Sequence, residues 1–217
     1  MTVINPDALK KLSDICAQLE IPMSVALHGR GTAIESMRDL LGIDLTEKWI
    51  VFSVAGEEKT KEYMNRLRRT LYIGVPGHGI AWAVPIKSVG GGKILAHLND
   101  GRQDARYTPE FNFSYELIVA IANEGRTDAV MNAARAAGAM GGTVLHGKGT
   151  TSPESEKFLG VSIAKEKEVI LIVARKEQKA DIMRSIMTRA GADTDAGAVV
   201  FSVPVSEVAG FGMFDET

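Results

Sequence analysis

The 217-residue chain contains one cysteine, Cys16, so it can form neither an internal disulfide nor a cysteine-based metal cluster. No apolar run approaches the ~20 residues that span a bilayer, and Met1-Thr2-Val3-Ile4-Asn5-Pro6 lacks the basic and apolar regions of a signal peptide. The expected compartment is the cytoplasm, without membrane insertion. Neither sign of charge is in excess: 25 Lys and Arg stand against 27 Asp and Glu, a net charge of −2 that gives no basic field for gripping nucleic acid. Catalytic machinery is missing as well. The serines and threonines fall in loops without a positioned base, and Glu57, Glu58 and Glu62 share a helix face with Lys59 and Lys61 as a solvated charge pattern, so an enzyme is not expected.

What the chain has is an echo of itself. His28-Gly29-Arg30-Gly31-Thr32 returns 118 residues later as His146-Gly147-Lys148-Gly149-Thr150. Leu41-Gly42-Ile43 matches Leu159-Gly160-Val161 and, after a slip of one residue, Val54-Ala55 matches Val173-Ala174 and Val84-Pro85 matches Val203-Pro204. Self-similarity at so long a period marks two copies of one unit. The expected division is 1–92 for the first repeat, 93–113 for a linker opened by Gly90-Gly91-Gly92 with a hairpin at Asn99-Asp100-Gly101, and 114–217 for the second.

Within the first repeat, Asn5 is placed to cap a helix with Pro6 in its first turn, and Leu9, Leu12, Ile15, Cys16 and Leu19 form the helix's apolar stripe. Met23, Val25 and Leu27 alternate with polar neighbours as a half-buried strand ending at His28, where a glycine loop is expected. A strand at 49–54, a helix at 57–72 with Met64, Leu67 and Leu71 inward, and a strand at 79–84 follow, with Thr2 to Ile4 as a stub of a first strand whose edge is either short or completed by another segment. The second repeat gives strand 116–122, helix 127–137, strand 142–146, strand 168–174, helix 178–190 with Ile182, Met183, Ile186 and Met187 inward, and strand 198–203. The order βαββαβ, twice, predicts an α+β protein of two tandem ferredoxin-like domains, each an antiparallel sheet with both helices on one face.

Residues 169–173 read Val-Ile-Leu-Ile-Val without alternation, which predicts that the sheet face away from the helices is buried too. Ile170 and Ile172 are assigned to that face, and packing of three sheets inward predicts a homotrimer of six repeats.

A cation between glycines lets backbone amides approach an anion while the side chain supplies charge, so His28, Gly29, Arg30, Gly31 and Thr32, with His146, Gly147, Lys148, Gly149 and Thr150, are candidate ligand-binding residues. Gly77, His78 and Gly79 form a third candidate, either a phosphate-facing loop or a plain turn. His28 and His146 lack Cys, Asp or Glu at ligand spacing in the sequence, so no metal site is assigned.

Several of these stretches resemble the PII family of nitrogen-regulatory signalling proteins. The similar elements are Glu116-Leu117-Ile118-Val119, the Gly141-Gly142-Thr143-Val144 turn, a following loop in the position of that family's T-loop, the strands at 169–173 and 199–203, and Pro76-Gly77-His78-Gly79-Ile80-Ala81 in the manner of its B-loop. The resemblance implies PII-like domains in a cytoplasmic trimer, binding an adenine nucleotide or 2-oxoglutarate in clefts between subunits and relaying the bound state to a regulatory target protein. The chain departs from the pattern in places. Neither 33–46 nor 151–165 contains the tyrosine that family members modify, Asp195-Ala196-Gly197-Ala198 stands where basic residues follow the B-loop, and Ser206-Glu207-Val208-Ala209-Gly210 stands where that family's phosphate-gripping arginines lie. Two further readings stay open: a ligand-free structural trimer, and a metal-responsive protein similar to the CutA branch of the superfamily.

Overall fold

The computed structural model describes residues 1–21, 24–32, 47–75, 77–86, 112–148, 157–158, 161–162 and 166–211. The expected linker, apart from its last two residues, lies outside them with its hairpin, as do Gly149 and Thr150. The strands are β1 (Thr2–Ile4), β2 (Ser24–Gly31), β3 (Glu47–Ser53), β4 (Gly79–Ala83), β5 (Tyr115–Asn123), β6 (Thr143–Lys148), β7 (Lys157–Phe158), β8 (Val161–Ser162), β9 (Glu166–Arg175), β10 (Val199–Val205) and β11 (Glu207–Ala209). The helices are α1 (Leu9–Gln18), α2 (Glu57–Thr70), α3 (Thr127–Ala136) and α4 (Lys176–Ala190), with a 3-10 turn at Pro6–Ala8 before α1. Among the described residues, no helix is long and apolar enough to cross a membrane.

Two compact units divide the chain. The first comprises Met1–His28, Asp39–Tyr115 and Pro204–Thr217, the second Gly29–Arg38 and Glu116–Val203. Neither is continuous in sequence. In the first, the sheet runs β2-β3-β1-β4-β11, and in the second β10-β5-β9-β6 with Gly29–Gly31 beside β6. Numbered within each repeat, both orders are the 4-1-3-2 arrangement of a split βαβ unit. The short β1 is interior, flanked on both sides: Val3 pairs antiparallel with both Ile50 and Ile80. The edge beyond β4 is instead taken by β11, whose Val208 faces Trp82 in register.

Each unit packs its helices on one sheet face. In the first, Ile4, Val51 and Ala81 meet Leu12, Ile15 and Cys16 of α1 and Met64 and Leu67 of α2. Acidic Glu57 and Glu58 in the first turn of α2 and basic Arg68 and Arg69 in its last suit the helix dipole. In the second unit, Ile118, Ala120 and Ala122 of β5 and Ile170, Ile172 and Ala174 of β9 meet Val130, Met131 and Ala134 of α3 and Ile182 and Ile186 of α4.

Four expectations are corrected. Ile170 and Ile172 belong to the helix-covered core, so alternation puts Leu171 and Val173, with Leu117 and Val119, on the opposite face. Those four are buried too, so that face is apolar as the unbroken run in β9 required. Met187 is exposed, because the core stripe of α4 is filled by Ile182, Ile186 and Ala190. Val25 and Leu27 are 51% and 42% exposed rather than half-buried in a core. Asn5 makes no capping bond; its side chain is engaged across the sheet end, as described below.

Two substitutions probe this packing. Ile170→Ala should cost about 2–5 kcal/mol in urea unfolding, the range for emptying a closed core site. Gly79→Ala should also destabilise, by about 1 kcal/mol or more, because Gly79 has φ +138° and an added Cβ would stand 2.1 Å from the Val3 carbonyl oxygen. A wild-type unfolding midpoint in either variant would contradict this account.

Candidate functional site

The glycine-flanked cations lie on strands, which corrects the loop expectation. Gly29, Arg30 and Gly31 pair with Leu145, Val144 and Thr143, and Gly147 and Lys148 pair with Lys167 and Glu166. Their backbones run in sheet ladders and form no open nest of amides. Thr32 extends the attachment. Its amide and hydroxyl both donate to the Gly142 carbonyl, at 3.0 and 2.8 Å, its hydroxyl accepts from the Gly142 amide at 2.8 Å, and Arg135 donates to its carbonyl.

These strand ends converge on Glu168, 2% exposed on β9. Its Oε2 accepts from the Arg126 amide at 3.1 Å, the Thr127 amide at 2.9 Å and the Thr127 hydroxyl at 2.7 Å, closing the N-terminus of α3. Its Oε1 faces Arg30 Nη2 at 3.7 Å and His146 Nδ1 at 3.9 Å. Burial by itself would push the carboxyl up. The hydrogen bonds from the Thr127 side chain and backbone and from the Gly125 backbone, with the charge of His146, outweigh it and hold Glu168 below its ordinary value. Arg30 and His146 stay open on their outer sides, with side chains 54% and 46% exposed.

His28 has a different environment. Its Nδ1 lies 3.4 Å from Glu47 Oε1 and its ring sits 3.8 Å from that of Trp49. Trp49 precedes Glu168 by 119 residues, the offset relating β3 to β9, so an indole stands beside His28 at the position where a carboxylate faces His146. Among the described residues no group of three or more His, Cys, Asp or Glu is placed to hold a metal ion.

Gly77, His78 and Gly79 form a turn after α2. The His78 amide donates to the Val75 carbonyl at 3.1 Å, and His78 Nδ1 lies 3.2 Å from the Leu71 carbonyl. The Gly77 carbonyl points to cationic and amide donors: it accepts from Asn5 Nδ2 at 3.1 Å and Lys48 Nζ at 3.3 Å, while Lys48 also donates to Asn5 Oδ1. The second unit repeats this pattern. Asn123 Nδ2 donates to the Asp195 carbonyl at 3.0 Å, and Lys167 Nζ donates to Asn123 Oδ1 at 2.6 Å. Asn5 and Asn123 are 118 residues apart, Lys48 and Lys167 119. Sequence reasoning missed both pairs, although the repeat offset would have found them. Lys48 is 9% exposed, and burial lowers its pKa despite the opposing field of Asp7.

Because its pKa is lowered on folding, Glu168 stabilises the protein above the ordinary carboxylate range, and that contribution fades as pH falls from about 4.5 through the folded value. Glu168→Gln should cost about 1.5–3 kcal/mol at neutral pH and lose less stability than wild type on acidification. Parallel acid titrations of both proteins, followed by urea midpoint, would refute this if the two curves kept a constant separation.

Comparison with known proteins bears on residues 115–211. A family model described as nitrogen regulatory protein P-II matches residues 115–211. Among solved structures, the PII protein of Arabidopsis thaliana bound to citrate is similar at 22% identity and a TM-score of 0.35, over 44% of this chain and 78% of that one. No curated protein matches the chain. The matched residues run from β5 through β11 and include His146, Lys148, Glu168 and the Asn123–Lys167 pair, so residues 115–211 are similar to the nitrogen regulatory protein P-II family.

Proposed function

We propose that the protein is a P-II-type signalling protein that binds a small anionic ligand through Arg30 and His146 and passes the bound state to a regulatory target protein. One observation carries this reading. A guanidinium and an imidazole are held side by side by a buried carboxylate, yet both remain about half exposed. Glu168 sits beyond hydrogen-bond length from each of them, so the two side chains keep donors for an incoming oxyanion. A fork such as Arg30 can hold a carboxylate or phosphate by two parallel bonds, which an ammonium cannot do. Lys148, two residues beyond His146 in the sequence, is the second repeat's counterpart of Arg30 and carries the same charge.

The ligand class follows from this chemistry and from the family: an adenine nucleotide offers phosphates and 2-oxoglutarate two carboxylates. Members of the P-II family are regulatory proteins, and a regulatory role here needs no catalytic group. The assembly proposed with this function is a homotrimer of six repeats.

Thermal unfolding with ATP, ADP, AMP, cyclic nucleotides and 2-oxoglutarate tests the reading, since a ligand that prefers the folded state raises the midpoint. At least one should do so. For that ligand, Arg30→Ala should weaken binding by about 1.5–3 kcal/mol, the worth of a charge-assisted hydrogen bond, and Lys148→Ala by less. Calorimetry giving unchanged affinity in both single variants and the double variant would remove these residues from the site. A lone monomer at micromolar concentration in native mass spectrometry would remove the trimer.

A further inference from the structure

A buried carboxylate is an awkward neighbour for an anion. Arg30 Nη2 and His146 Nδ1 approach the same oxygen, Glu168 Oε1, to 3.7 and 3.9 Å, so an oxyanion gripped by both cations also comes close to that oxygen. The carboxyl is ionised at neutral pH, since its hydrogen bonds hold it below the ordinary value. A ligand oxygen without a proton would face Oε1 lone pair to lone pair, with like charges opposed and neither oxygen satisfied. Glu168 cannot turn aside, because Oε2 is tied to the Arg126 and Thr127 amides and the Thr127 hydroxyl and the residue is 2% exposed.

Acceptor capacity shows what a ligand must bring. An ionised carboxylate offers about four acceptor positions, two on each oxygen, and no donor. Three donors already crowd Oε2. The Gly125 backbone adds one more to the carboxylate, and even placed on Oε1 it leaves that oxygen an acceptor position beside two cations that both lie beyond hydrogen-bond length. That position calls for an O–H.

We propose that Glu168 is the specificity-determining residue of the Arg30–His146 site, selecting oxyanions that carry their own hydroxyl donor over fully ionised ones that carry none. This rests on the reading of Arg30 and His146 as an anion site. The two cations hold the charge while Oε1 accepts from the hydroxyl, so three groups read one ligand. Hydrogen phosphate and 2-hydroxycarboxylates meet the requirement. Sulfate, which matches hydrogen phosphate in shape and charge, does not, and neither does 2-oxoglutarate, which has a carbonyl where a 2-hydroxy acid has its hydroxyl. Trp49 stands at the corresponding position of the first unit, and an indole accepts nothing, so the selection belongs to the second unit.

Calorimetric titration of the full chain, at neutral pH and matched ionic strength, compares two pairs of ligands that differ in the donor: phosphate against sulfate, and 2-hydroxyglutarate against 2-oxoglutarate. In at least one pair the hydroxyl-bearing member should bind about tenfold more tightly or better, because its analogue leaves a buried acceptor unpaired. The pair that discriminates identifies phosphate or a hydroxy acid as the source of the hydroxyl. Glu168→Gln, whose amide can turn an N–H toward either anion, should bring that pair to within about threefold, and Arg30→Ala should weaken both members together. The carboxyl-carbon NMR shift of Glu168 should move with the favoured ligand and not with its analogue, a readout that needs no variant and decides the matter if Glu168→Gln fails to fold. Equal affinities within both pairs, or discrimination that survives Glu168→Gln, overturn the proposal and leave the Arg30 site in place. Binding of none of these ligands overturns it too, and the Arg30 reading is then decided separately by the nucleotides and Arg30→Ala.

Discussion

Glu168 is the group on which the second unit depends. A single buried carboxylate closes the N-terminus of α3 with one oxygen and faces Arg30 and His146 with the other. Three elements are thereby tied to one point on β9. The arrangement is strong where it is dry: the backbone and hydroxyl donors to Oε2 are short and hold the ionised form, whereas the contacts to Oε1 are long and half exposed, where ion pairs add little to stability. The carboxylate is thus held firmly by the helix and loosely by the cations, which leaves those cations available to something else.

Much of the frame was legible in the sequence because hydrophobic periodicity reports it directly. Leu12, Ile15 and Cys16, and Met64, Leu67 and Leu71, each at helical spacing, are faces that the core uses. The unbroken apolar run on β9 signalled a sheet buried on both sides, but composition alone does not say which residue of an all-apolar run points where, and Ile170 and Ile172 were assigned to the wrong face. Glycines misled at 29 and 31. They favour turns on average, yet pairing with β6 continues through them.

The candidate site was legible only in part. Arg30, His146 and Lys148 stood out because they recur, but Glu168 did not, since the equivalent position in the first half is Trp49 and a repeat search looks for sameness. Asn5 and Lys48 failed to stand out for another reason. Asn5 before Pro6 has the local signature of a helix cap, and a long-range bond to the Gly77 carbonyl took its side chain instead. Local signals describe what a residue can do with its neighbours in sequence, and tertiary contacts decide among those options.

The discontinuity of the units has a consequence for the history and handling of the chain. Pro204–Thr217 belongs with the first unit and Gly29–Arg38 with the second, so neither half of the sequence encodes a complete unit. A chain ended after the first repeat would lack β11 and leave the outer edge of β4 unpaired, a row of open donors and acceptors of the kind that seeds aggregation. Once two copies have traded segments in this way, separating them again is no longer a matter of cutting between them.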